Sequence, residues 1–115
     1  EDTEAGAACL AERCAALGIF EDPQGKMTLS VRDVGGAAMV VPQFTLYGDT
    51  TRGNRPSYST AAHPEFAESL YESYVRHLRT LLGDEKVATG VFRAMMDVEL
   101  VNDGPVTVMV ESKTA

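Results

Sequence analysis

Pro42-Gln43-Phe44-Thr45-Leu46-Tyr47-Gly48 continues directly from Ala38-Met39-Val40-Val41, an apolar run without clear alternation. Such a run reads as a strand covered on both faces, partly central in its sheet. Its continuation carries a Gln and a Thr where more Val and Ile would be expected. Burying an amide costs on the order of 1–3 kcal/mol unless it is hydrogen-bonded. Gln43 therefore either braces a neighbouring loop or faces a pocket. Thr45 could act as a nucleophile, but no base is paired with it in the sequence and Thr is a common strand residue.

Working toward the N-terminus, Asp33-Val34-Gly35-Gly36 reads as a turn. Before it, Ile19-Phe20 and Met27-Thr28-Leu29 flank Asp22-Pro23-Gln24-Gly25, whose Pro and Gly suit positions i+1 and i+3 of a type I turn, so a hairpin is expected. Residues 4–17, alanine-rich with Leu10 and Leu17, form a helix by propensity, with Gly18 as its stop. Toward the C-terminus, 48–60 is rich in Gly, Thr, Ser, Asn and Arg and reads as an exposed loop of the length that tends to be functional. Pro64 suits the first turn of a second helix. There Phe66, Leu70, Tyr74 and Leu78 recur every four residues, flanked by Tyr71, Val75 and Leu82, until Gly83-Asp84 ends it. An irregular stretch through Val87 and Phe92 leads to two alternating strands, Val98 and Leu100 in one, Val106, Val108 and Val110 in the other. The pattern is α+β, two helices packed on a mostly antiparallel sheet.

The chain has 115 residues, so 1–115 is expected to be a single domain. It is 44% hydrophobic, and no apolar run approaches the roughly 20 residues of a membrane span, so no membrane partner is expected. Glu1-Asp2-Thr3-Glu4 lacks the marks of a secretory signal, which makes cytoplasmic the expected location. Cys9 and Cys14, five apart, lie about 140° from each other around a helix and share neither metal nor disulfide easily. Only His63 and His77 are present, there is no zinc signature, and neither a P-loop nor GxGxxG nor HExxH occurs; no metal or cofactor is expected. The formal charge of −7 argues against a general nucleic-acid binder. A small local patch could still serve one terminal nucleotide, and Thr51-Arg52-Gly53-Asn54-Arg55 is the place for it, although two arginines in such a loop are often merely solvated.

A second unusual segment is Val101-Asn102-Asp103-Gly104-Pro105-Val106-Thr107, with Gly before Pro between two apolar strands. A Gly-Pro bond can be cis, although only roughly 5–6% of X-Pro bonds in folded proteins are, and a plain tight turn also explains these residues. With no GxSxG elbow in the chain, spacing alone suggests a site without naming its reaction.

Read together, PQFTLYG at 42–48 and NDGPVT at 102–107 resemble the D-aminoacyl-tRNA deacylases, also called D-tyrosyl-tRNA deacylases, which usually show SQFTLYG and NxGPVT. The resemblance extends to Ile19-Phe20-Glu21-Asp22 with Gly25-Lys26-Met27, to the turn at 33–36, to Gly48-Asp49-Thr50 and to Arg55-Pro56-Ser57. It implies the deacylase fold, with a pair of strands ahead of the first helix that this sequence does not contain. It also implies hydrolysis of the ester of D-aminoacyl-tRNA by a homodimer with active sites at the subunit interface.

By the same resemblance the Gly104-Pro105 bond is cis, and each subunit's Gly-Pro pair enters the other's pocket, where its carbonyls would clash with an L-side chain. The ester carbonyl would lie along Gln43, Phe44 and Thr45, with the Phe44 N–H as oxyanion donor, worth on the order of 3 kcal/mol. The 2′-hydroxyl of the 3′-terminal adenosine would assist, making a protein nucleophile unnecessary. Met27, Pro42, Asn102, Gly104, Pro105, Val106 and Thr107 would line the substrate, and Arg52 and Arg55 would meet the tRNA. Pro42 stands where this family usually has Ser; a sister class acting on certain L-aminoacyl-tRNAs has Pro there but usually Ala at the position of Phe44, so Phe44 and Val106-Thr107 favour the D-specific class. The competing readings are that sister class, a non-catalytic tRNA-binding module of the same fold, and a hydrolase of another small ester using Thr45.

Overall fold

The computed structural model describes residues 3–43, 64–91 and 96–112. Thr3 is extended and its hydroxyl accepts from the Gly6 N–H at 3.0 Å, capping α1 (Glu4–Ala16). The helix ends because Leu17 is extended. Gly18, expected as the stop, has a different task. A Cβ there would stand 3.0 Å from the Met27 carbonyl oxygen, so glycine lets the chain pass close against the next hairpin.

That hairpin joins β1 (Phe20–Glu21) to β2 (Met27–Leu29), antiparallel. Its turn is organised by Asp22: one carboxylate oxygen accepts from the N–H groups of Gln24 and Lys26 at 2.9 Å each, the other from the Thr28 hydroxyl at 2.8 Å. Gly25 donates to the Asp22 carbonyl at 2.9 Å and has φ +83°, the type I turn with a left-handed closing residue that suits a short hairpin loop. In the following turn Ser30 and Asp33 bond reciprocally, N–H to carboxylate at 2.9 Å and N–H to hydroxyl at 3.1 Å.

β3 (Ala38–Val40) leads toward the site, and α2 (Pro64–Leu82) follows the undescribed stretch. A 3₁₀ turn (Asp84–Lys86) then brings the chain into β4 (Val87–Thr89), which pairs parallel with β3, Val40 opposite Thr89. The stretch through Val87, expected to be irregular, is thus a strand; β3 supplies the ladder that periodicity over three residues could not signal. The fold is α+β, and the described strands form one antiparallel and one parallel pair.

Ala7, Ala11 and Ala15 make one buried stripe along α1, small enough for close approach to α2, whose Val75 and Leu78 are buried against it together with Val87. Ser73, 1% exposed, donates to the Glu4 carboxylate at 3.0 Å, and Arg76 lies 3.6 Å from the same oxygen, tying the two helices together at the surface. Two expectations change. Only one face of β3 is covered by the described residues: Ala38 and Val40 pack on this core while Met39 is 60% exposed. Residues 96–112, whose alternation reads as two strands, have no strand pairing among the described residues, because alternation yields a strand only where a neighbour supplies the ladder.

Candidate active site

β3 ends at Val40 and delivers Pro42, half-buried, and Gln43 to one edge of the helix pair. Gln43 lines a cavity of about 330 Å³ between the N-terminal ends of α1 and α2, together with Thr3, Leu10, Leu70, Tyr71, Tyr74 and Ser112. Gln43 is exposed at the edge of this cavity, so its amide is not buried as the sequence suggested and the desolvation cost that posed the two alternatives does not arise. The lining is mainly apolar with a few hydroxyls, the make-up of a small-molecule site. Burial, and then a hydrogen bond with Cys14, push the Tyr74 phenol well above its ordinary range, so it stays protonated. The C-terminal segment closes the cavity from outside: Arg13 donates to the Glu111 carbonyl at 3.2 Å, and a Cβ on Gly6 would stand 3.3 Å from Ser112 Cβ.

The other described motif residues are not among those lining this cavity. Met27, on β2, is 44% exposed. Asn102 through Thr107 are exposed, Gly104-Pro105 is cis, and Gly104 has φ +130°, a conformation that favours glycine. Around Gly104 an added Cβ would meet, among the described residues, only Val106 within 4 Å. No hydrogen bond among the described residues joins 102–107 to Gln43 or Met27. Phe44, Thr45, Arg52 and Arg55 lie outside the described residues, as does His63.

Some neighbours of the site went unread in the sequence. Met96 packs on Gly90, where a Cβ would come within 3.2 Å of its methyl carbon and 3.7 Å of Val41. Tyr71, expected as helix packing, also donates its hydroxyl to the Gly90 carbonyl at 3.2 Å. Ser112 gave no signal, since its closeness to α1 spans almost the whole chain. A larger cavity, about 590 Å³, lies on another face of α2 between Glu68, Glu72, Arg76, Arg79, Asp84 and Thr89. It contains no residue of either motif, and Arg79 there is turned to structural use, donating to the Val87 carbonyl at 3.3 Å. Among the described residues no cluster of His, Cys, Asp and Glu is placed to hold a metal, and no helix is long and apolar enough to cross a membrane.

The profile of the D-Tyr-tRNA(Tyr) deacylase family matches residues 1–111. The D-aminoacyl-tRNA deacylase of Salinibacter ruber is 57% identical over 113 residues, covering 98% of this chain and 75% of that protein. The D-aminoacyl-tRNA deacylase of Halalkalibacterium halodurans is 58% identical over 112 residues, covering 97% and 75%. Among solved structures, the c-Myc DNA Unwinding Element Binding Protein superposes with a TM-score of 0.87 at 36% identity, over 99% of this chain and 76% of that one.

Proposed function

Because the chain belongs to the D-Tyr-tRNA(Tyr) deacylase family, we infer that it hydrolyses the ester bond of D-aminoacyl-tRNA, releasing the free D-amino acid and tRNA. The observation that carries this is a match running through both motif segments at more than half identity to curated deacylases. Removing D-residues from tRNA before they reach peptide synthesis is proofreading, and the cytoplasm is where that substrate is made.

Gln43, Phe44 and Thr45 form the catalytic strand of the site, with the Phe44 N–H stabilising the oxyanion and the terminal 2′-hydroxyl assisting the attack. Met27, Pro42, Asn102, Gly104, Pro105, Val106 and Thr107 line the aminoacyl group and adenosine, and Arg52 and Arg55 meet the tRNA. Residues 1–115 act as one deacylase domain.

The active unit is a homodimer in which the Gly104-Pro105 turn of one subunit enters the pocket of the other. What supports this is the exposure of the turn, together with the apolar row that flanks it: Leu100, Val106 and Val108 are more than half exposed, Val101 95% and Met109 81%. Exposed apolar surface of that extent marks an interaction site.

Incubation with D-tyrosyl-tRNA releases D-tyrosine on this reading, whereas a binding module would hold the tRNA and leave its ester intact. Thr45→Ala separates the mechanisms: it loses far less than the roughly 10⁶-fold expected for deleting a covalent nucleophile. A trapped acyl-enzyme on Thr45 would overturn the scheme.

A further inference from the structure

The parallel register of β3 and β4 specifies which backbone groups should meet at the sheet's end. Val40 stands opposite Thr89, so the next step places Val41 beside Gly90. In a parallel ladder a residue donates its N–H to the carbonyl preceding its partner and accepts at its own carbonyl from the N–H following its partner. Gly90 makes the first of these bonds, donating to the Val40 carbonyl at 2.9 Å. The second requires an N–H at position 42, and residue 42 is proline, which has none.

The Gly90 carbonyl is satisfied from the helix instead. Tyr71 of α2 donates its hydroxyl to it at 3.2 Å, and the same oxygen is 3.5 Å from the Val40 carbonyl. The contact to the Gly90 carbonyl is the shorter of these two. The ring of Tyr71 packs beside the buried cluster of Ala11, Val75 and Leu78, so the hydroxyl is held in place from behind.

We propose that Tyr71 is a positioning residue for deacylation: its hydroxyl replaces the ladder bond Pro42 cannot make and fixes the direction in which the chain leaves β3 for Gln43 and Phe44. This rests on the reading that the ester carbonyl lies along residues 43–45. Only three residues, 41–43, separate the end of β3 at Val40 from the Phe44 N–H that meets the oxyanion. A misplacement of about 1 Å at such a donor costs up to roughly a hundredfold in rate.

The test is a cycle of four full chains: wild type, Tyr71→Phe, Pro42→Ser and the double variant, each with D-tyrosyl-tRNA. Tyr71→Phe lowers kcat roughly tenfold or more with KM unchanged. Pro42→Ser restores an N–H opposite the Gly90 carbonyl, so on that background, whatever its own rate, Tyr71→Phe costs about threefold or less. An unchanged kcat in Tyr71→Phe, an effect on KM alone, or the same loss on both backgrounds overturns the proposal. Thermal melts of the same four proteins read the bond without turnover: the drop in Tm from Tyr71→Phe shrinks when Ser replaces Pro42, and an equal drop on both backgrounds refutes the substitution. A wild type that releases no D-tyrosine would sink the deacylase reading, while the melts would still decide the role of the hydroxyl.

Discussion

The helix pair and the segment 96–112 are both rich in apolar residues, yet they use them in opposite ways. Along α1 and α2, apolar groups at helical spacing meet within the chain: Ala11, Ala15, Val75 and Leu78 are each 6% exposed or less. Along 96–112, Val98, Leu100, Val106 and Val108 alternate just as regularly, and every one is at least half exposed. The first pattern is satisfied by this chain's own described residues. The second is left uncovered by the described residues, and the motif turn Gly104-Pro105 sits at its middle. The buried core and the two motif segments thus lie in different parts of the sequence, and β3, packed on that core, runs into the first motif.

The largest effect expected from this contrast is on stability. Leu78→Ala opens a cavity at the helix contact and destabilises the protein by about 2–5 kcal/mol, seen as a lower denaturant midpoint. Val101→Ser acts elsewhere: it lowers the association constant of the proposed dimer in sedimentation experiments and, at concentrations where the protein is monomeric, changes stability by within about 0.5 kcal/mol. Equal destabilisation of the monomer by both would erase the distinction. Smaller is Ser73→Ala, which removes the hydroxyl that reaches Glu4 from a buried position and costs about 1 kcal/mol. A melt indistinguishable from wild type would mean that this bond between helices contributes nothing net.

The smallest concerns the hairpin. The Lys26 N–H, followed by the Thr28 hydroxyl, holds the Asp22 carboxyl below its ordinary range. A carboxyl depressed on folding stabilises the turn above its unfolded pKa and loses that contribution as pH falls through the folded value. Acid should therefore loosen the turn only below about pH 4. An NMR titration placing the Asp22 pKa at or above that of an unstructured peptide would contradict it.

The two regions also differ in how far the sequence could be read. Both helices, the Asp22 turn and the turn at 33–36 were legible because their determinants are local: an alanine-rich stretch, a Pro-Gln-Gly sequence, a Gly-Gly pair, apolar groups every fourth residue; the Thr3 cap and the Ser30-Asp33 bonds were not read. Gly18 was recognisable as special but not for its actual reason, since its neighbour Met27 comes from another element. β4 was missed because three residues give no usable period and its partner β3 is distant in the chain. Tyr71 shows the limit most clearly. Its place in the repeat predicts a packed ring, correctly, but the acceptor of its hydroxyl lies 19 residues away. The one sequence signal was Pro42 just past the end of an apolar strand, which implies an orphaned carbonyl across the ladder once the register is known. Of the site itself, the two motifs were legible as segments, and the side-by-side arrangement of Gln43 with Tyr74 and Ser112 was not.

As a member of the deacylase family, this chain is expected to distinguish the hand of the amino acid. Initial rates of ester hydrolysis on D-tyrosyl-tRNA and L-tyrosyl-tRNA, measured side by side with the same enzyme, test it most directly. The expected result is release of D-tyrosine with L-tyrosyl-tRNA left at its uncatalysed rate. Hydrolysis of the L-ester at a comparable rate, or of neither, would contradict it.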